Sequence, residues 1–255
     1  MEKPKMMHIA ITAEDIGQYC FLPGSPERAL KISKYFDDVE KVGQNREHTT
    51  YSGYLEGIKV SVTSTGMGGP SSAICMEELV KIGGKKFIRI GTCASTAERA
   101  HIGDIIIPQG TVRMEGTALH YLPMEYPAVP DYEIMKKIEE AALKLKYHYH
   151  VGVTITKDSF YTQTEPETKP IGYELINRWN AYEKGGAIAT SMEEATLFIV
   201  GSSLQVQVAS VLGCATNYKR YKEQGEENKG IDFEKMAIET GIEAMRQIIL
   251  ADKAR

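Results

Sequence analysis

Short apolar runs of strand length alternate along the chain with stretches whose apolar residues recur at helical spacing. YCFLPG, VSVTSTG, KFIRIGT, DIIIPQGTV, HVGVTITK and QVQVASVLGCAT read as strands. Between them SPERALKISKYF and SSAICMEELVKI carry a helical period. In DYEIMKKIEEAALKLKY, residues Ile134, Ile138, Ala142 and Leu145 fall on one face. The last long helix is DFEKMAIETGIEAMRQIILADK. No repeat, low-complexity tract or Ser/Gly linker divides the chain. The pattern predicts one α/β domain over residues 1–255: three layers, with a central mostly parallel or mixed sheet flanked by helices. Two polar stretches, Thr162 to Lys169 and Lys219 to Gly230, are predicted as loops. Long polar connections of this kind are lids, binding loops or disordered segments.

Composition narrows the class. The 255 residues are 42% hydrophobic and 25% charged, which suits a water-soluble globular chain with a core of useful size. A net charge of −4 without a long basic run argues against nucleic-acid or membrane-surface partners. Cys20, Cys75, Cys93 and Cys214 lie far apart, with no C-x-x-C and no histidine at ligand spacing. They read as buried free thiols, and a reducing cytoplasm fits them. MEKPKMMHIAIT is too short and interrupted for a signal peptide, and no window reaches the ~18 apolar residues of a membrane span.

Several local features carry candidate chemistry. STGMGGPS, Ser64 to Ser71, places three glycines and a proline between a strand and a helix. It is either a plain turn or a place where the backbone approaches a ligand. In LPGSPER, Gly24 permits a sharp turn and Ser25-Pro26 opens a helix. A helix start facing a cleft also offers amides to an anion, with Arg28 one turn away. Arg89 sits inside the apolar strand FIRIGTCAS, where burial demands an anionic partner: a structural carboxylate or a ligand. Thr92 follows at the strand's carboxyl end, where ligands collect in such sheets. In TSMEEATLF, Glu193 opens an apolar helix, as a dipole partner or as a clamp for two sugar hydroxyls.

Taken together, LPGSPER, NREHTTYSG, STGMGGPSS, FIRIGTC, EYPAVPD, KDSFY and MEEATLF resemble the hexameric uridine phosphorylase branch of the nucleoside phosphorylases. The resemblance runs from His8 to the terminal helix. It implies phosphate contacts from Gly24, Arg28, Arg89 and Thr92, with Arg46 supplied by a neighbouring subunit. It implies ribose contacts from Met192, Glu193 and Thr65, and from His8 across a dimer interface. Phe160 would pack against the base, Gly66 and Gln163 would adjoin it, and Gly66 and Met67 belong to the bare backbone beside the sugar phosphate. In some relatives a potassium ion lies at the dimer interface, at positions matching Glu47, Met67 and Ser71. A hexamer built as a trimer of dimers is implied, with nucleoside and inorganic phosphate as substrates and no cofactor required.

The reaction so implied is attack of phosphate on C1′ as the bond to the base breaks. It needs an anion cage, a fixed ribose and help for the departing base. Arginines serve the first need, Glu193 and His8 the second. For the third, a purine leaving group calls for an acid near the end of a late strand. Here that place reads GCATNYKR, with Asn217 and no aspartate from Ser210 to Gly230. Uracil, leaving as a delocalised anion, is the expected base. The family's usual arginine two residues after the glutamine is absent, however: Glu165 follows Gln163, and Tyr218 replaces a second arginine. Two replacements are open: a register shift of this segment that brings Gln163 and Lys169 to the base, or Lys157 assisting uracil departure, the bland alternative for Lys157 being a solvated lysine at a strand end. Altered base preference that includes purine nucleosides, or a non-catalytic nucleoside-binding role, are the competing expectations.

Overall fold

The computed structural model describes residues 4–254. Nine strands are present among these residues: β1 (Tyr19–Pro23), β2 (Asp37–Asn45), β3 (His48–Leu55), β4 (Ile58–Thr63), β5 (Lys86–Ser95), β6 (Ile105–Met114), β7 (Tyr149–Lys157), β8 (Ala189–Ser191) and β9 (Gln207–Asn217). The helices are α1 (Pro26–Ser33), α2 (Gly69–Lys81), α3 (Tyr132–Leu145), α4 (Tyr161–Thr164), α5 (Gly172–Lys184), α6 (Glu194–Ser203), α7 (Tyr218–Gln224) and α8 (Phe233–Lys253), with 3₁₀ turns at Thr117–His120 and Pro166–Thr168. None of the helices is long and apolar enough to cross a membrane, among the described residues.

The alternation seen in the sequence sorts side chains to two faces of one sheet. Tyr19 and Phe21 of β1, Ile88 and Ile90 of β5, and Ala209 and Val211 of β9 pack with α1, α3 and α8. Cys20 and Leu22, Phe87 and Val208 point the other way, into the core shared with α2 and α6. The result is three layers. Helix α3 begins where Asp131 accepts a bond from Ile134 N at 3.0 Å, and it buries Ile134, Ile138, Ala141 and Ala142. All four cysteines are buried free thiols.

The strand order is β2-β3-β4-β1-β5-β8-β7-β6-β9, with β9 also pairing with β5. Strands β5, β8, β7, β6 and β9 therefore close on themselves, and β1 to β4 extend from that ring as an open sheet. Five of the nine pairings are parallel and four antiparallel, so the sheet is mixed rather than mostly parallel. The antiparallel share comes from the β2-β3-β4 meander and from the junctions of β8 and β9 that close the ring.

Two polar segments expected as loops are partly helical. Thr162 to Lys169 spans the end of α4 and a 3₁₀ turn. Lys219 to Gly230 begins inside α7, whose first amides are capped by the Asn217 carbonyl oxygen at 3.1 Å. Of these short helices only α7 has a side-chain cap, and none carries an apolar stripe long enough for periodicity to reveal it.

One edge of β5 creates the functional opening. Residues Lys86 to Ile90 pair with β1, and Ala94 and Ser95 pair with β8. Between them Gly91, Thr92 and Cys93 have no partner on that edge, and the backbone bulges at Cys93/Ala94 against β9. Neighbouring strands part there, leaving a crevice of the type in which α/β sheets bind ligands. Across β5, Gly213 pairs with Thr92, and a Cβ on Gly213 would lie 2.2 Å from the Phe233 carbonyl oxygen. Only glycine lets α8 begin so close to the sheet. Gly213→Ala is expected to cost about 1–3 kcal/mol through overpacking, read as a lower urea midpoint at unchanged m-value.

Candidate active site

The crevice beside β5 opens into a cleft of about 640 Å³. At one end the turn after β1 contributes Gly24 and the first turn of α1. Ser25 caps that helix, its hydroxyl accepting from Arg28 N at 3.2 Å, and Pro26 follows at the first helical position. The cap directs Arg28 into the cleft. Its Nη1 donates to the Ile90 carbonyl at 3.4 Å, its Nε lies 3.6 Å from Glu234, and Nε has no hydrogen-bond partner. Burial, with repulsion from Arg89 added, lowers the Arg28 pKa against the opposing pull of Glu234.

Arg89 shares the face of Phe87, so its guanidinium leaves the sheet toward the start of α6. Nε donates to Glu194 Oε1 at 2.6 Å and Nη2 to Glu193 Oε2, while Nη1 is buried without a partner. Burial opposes the charge, but the two carboxylates outweigh it and raise the Arg89 pKa. Both sequence readings of this residue thus meet in one place: a structural ion pair, and a free donor left over. Glu194 was not singled out by sequence. It is wholly buried, also accepts from Ser210 Oγ at 3.3 Å, and keeps Oε2 unpartnered.

Glu193 stands at the N-cap of α6, yet its side chain does not cap the helix. One oxygen takes Arg89; the other accepts from Gly68 N at 2.9 Å. This contact explains the glycine-rich stretch. Gly66 and Gly68 adopt φ of +73° and +85°, which favours glycine. A Cβ on Gly66 would come within 2.6 Å of Glu47 Cγ and Ser71 Oγ. Gly66, Met67 and Glu47 line the cleft, and Met67 is 78% exposed. Ser71 lies just behind, donating to Glu47 Oε1 at 2.6 Å or to the Thr65 carbonyl at 2.5 Å.

The far end of the cleft is built by the ends of β7, β8 and β9. Lys157 is buried rather than solvated. Its Nζ donates to Thr190 Oγ1 at 3.0 Å and lies 5.8 Å from the centre of the Phe160 ring. Burial pulls its pKa down to about 8, partly offset by Glu193 and Glu194. Thr190, Ser191, Cys93 and Tyr218 complete this wall, none of them proposed from sequence.

Other expected residues fall outside. Thr65 is buried beneath the cleft, its hydroxyl within reach of the Pro23 and Gly66 carbonyls. Gln163 lines a smaller neighbouring cavity with Trp179, although its Oε1 approaches Thr190 Oγ1 at 3.5 Å. His8 is held by Glu78, with Nδ1 at 2.7 Å from Oε1. Arg46 is exposed in the β2–β3 turn at φ +52°. Neither His8 nor Arg46 reaches the cleft of its own chain. Asn217 is spent structurally: Nδ2 donates to the Ala97 and Ala100 carbonyls and Oδ1 caps α7. Thr92 and Met192 line the cleft beside Arg89 and Glu193 as expected.

The sequence profile of the phosphorylase superfamily matches residues 18–251. Uridine phosphorylase of Treponema pallidum is 40% identical over 248 residues, covering 97% of this chain and 96% of that protein. Uridine phosphorylase of Salmonella typhimurium is 32% identical over 98% of this chain and the whole of that protein. Guanosine phosphorylase of Halorubrum lacusprofundi is 34% identical over 76% of each chain. A profile match that begins just ahead of β1 and ends inside α8 takes in every element that builds the cleft, and by this match the chain belongs to the phosphorylase superfamily.

Proposed function

We propose that the chain catalyses reversible phosphorolysis of uridine, giving uracil and ribose 1-phosphate, with deoxyuridine as a second substrate. The observation that carries this reading is one cleft lined by Arg28, Arg89 and Glu193, with Nη1 of Arg89 left without a hydrogen-bond partner. Two guanidinium groups that repel one another across a shared space are stabilised by an anion between them. In this reading phosphate occupies that space with Gly24 and Thr92. Glu193 and Met192 hold the ribose above it, and the base lies toward Phe160 and Lys157. Phosphate takes the free donor of Arg89, and Glu193, still held by Nη2 and the Gly68 amide, has remaining lone pairs to accept the sugar hydroxyls. The dianion under C1′ stabilises positive charge as the glycosidic bond lengthens. No cofactor enters these steps.

We further propose that His8 and Arg46, which lie outside their own cleft, complete that of a second copy, as in a dimer-based hexamer. Glu47 and Ser71 are oxygen donors in contact with each other, a set that suits a hard cation such as potassium between two copies. Such an ion would neutralise facing carboxylates; no step of the reaction passes through it.

Purified protein given uridine should release uracil only when phosphate is present, with equimolar ribose 1-phosphate. Release without phosphate would indicate hydrolysis, and release of hypoxanthine from inosine at equal efficiency would favour broad base preference, toward which the guanosine phosphorylase relative leans. Arg28→Gln removes a charged contact worth about 1.5–3 kcal/mol, so the KM for phosphate should rise roughly 10- to 100-fold with the uridine KM little changed. Lys157 supports an anionic leaving group only while protonated. Its pKa of about 8 places the loss of charge just above neutrality, so kcat/KM for uridine should fall as pH rises through that value. Lys157→Met should lack this alkaline limb and lower kcat for uridine more than twofold; a smaller change would remove the residue from the mechanism.

A further inference from the structure

Lys157 is a buried ammonium with unusually little to hold it. Of its three N–H groups the structure commits one, to Thr190 Oγ1 at 3.0 Å. Among the described residues no carboxylate lies within 4 Å of Nζ. The hydroxyl of Thr190 has acceptors for its own proton in the Ile155 carbonyl at 3.1 Å and Gln163 Oε1 at 3.5 Å, so toward Lys157 it accepts. This arrangement anchors the ammonium without neutralising it. Burying a charge with unfilled donors is costly unless a ligand supplies the acceptors. The Phe160 ring, half-exposed at 5.8 Å, marks where a flat ligand would stack beside it.

An ammonium donates and never accepts. A base that turns a carbonyl toward Nζ fills the free donors; one that turns an amino group there brings donor against donor. We propose that Lys157, held by Thr190, selects the base by its exocyclic group, admitting oxo-bases and refusing amino-bases. This rests on the phosphorolysis reading above and names its substrate class. Ser191, the other buried polar side chain on that wall, has an unpartnered hydroxyl that donates or accepts and so does not discriminate. Gln163 lines the adjoining cavity and touches the cleft only through Thr190, at 3.5 Å, and Tyr218, and no arginine stands two residues after it. The selection then falls to one residue on β7.

A lysine brings a consequence that an arginine would not. Once deprotonated, its amine carries a lone pair and accepts from an amino group. Burial already brings Lys157 to about 8, with Glu193 and Glu194 at the start of α6 and the Cys93 thiol on β5 acting on it, while Tyr218 of α7 on the same wall is pushed above its ordinary value by burial. Discrimination should therefore relax with rising pH.

The test compares kcat/KM for uridine and cytidine, each with saturating phosphate, from pH 6.5 to 9.5 in wild type, Lys157→Met and Lys157→Arg. Wild type should favour uridine by at least 100-fold at pH 6.5, and the ratio should fall at least tenfold by pH 9.5. Lys157→Met should bring the ratio at pH 6.5 within tenfold of unity, chiefly by loss of uridine activity. Lys157→Arg should keep the preference and lose its pH dependence, because the guanidinium stays charged. A wild-type ratio flat across this range, or a Lys157→Met ratio within threefold of wild type, overturns the assignment. The pH series needs no variant, so a misfolded mutant does not rescue the idea. Absence of phosphate-dependent uracil release from wild type would instead defeat the phosphorolysis reading itself.

Discussion

The site depends on a positive charge placed inside the sheet. Arg89 replaces an apolar residue in the middle of β5, on the face that packs against α2 and α6. Its guanidinium is tolerable there because the chain returns two carboxylates to it from the start of α6. That requirement fixes where α6 begins relative to β5. It also determines what the cleft offers, since two of the three guanidinium nitrogens are used and the third is left buried and unpartnered.

Other features of the cleft follow from this constraint. Glu193 is turned away from capping α6 and instead joins Arg89 to the Gly68 amide, so the glycine-rich stretch is drawn against the same cluster. The parting of β1 and β8 along β5 leaves the backbone of Gly91 to Cys93 unpaired on that edge, next to Arg89. A gap in pairing and a concentration of charge therefore coincide. The opposite end carries the complementary feature: Lys157, buried and hydrogen-bonded to Thr190, adds a cation to the cleft apart from Arg28 and Arg89. Two separated cationic ends with a carboxylate between them match a substrate that is anionic at one end, rich in hydroxyls in the middle and becomes electron-rich at the other.

The glycines show how sequence signals divide into local and distant meaning. That Gly66 and Gly68 permit positive φ belongs to the residue type, and it was readable as a turn or a ligand approach. That a side chain on Gly66 would strike Glu47 and Ser71 is a statement about residues brought from the β2–β3 turn and from α2. In the same way Ser25-Pro26 declared a helix start, and Ser25 caps α1 as written. Only the packed structure showed that this start points Arg28 into the crevice and not into solvent.

Much of the architecture was legible in the chain itself. Alternating and helical periods specified six strands, the main helices and two buried faces, because each of these is set by contacts repeating within one element. The motifs named the family and most of the residues around the cleft. The polar edge strand β2, the three-residue β8 and the largely exposed α5 carry no such repeat, and they formed only through neighbours. The same holds for the mixed sheet and its closed ring. Glu194 as partner to Arg89, Gln163 set against Thr190 and Lys157 turned inward are likewise tertiary outcomes. Each depends on where a side chain more than twenty residues away comes to rest. Periodicity records which face of an element is buried, but not which charge or hydroxyl will meet it there.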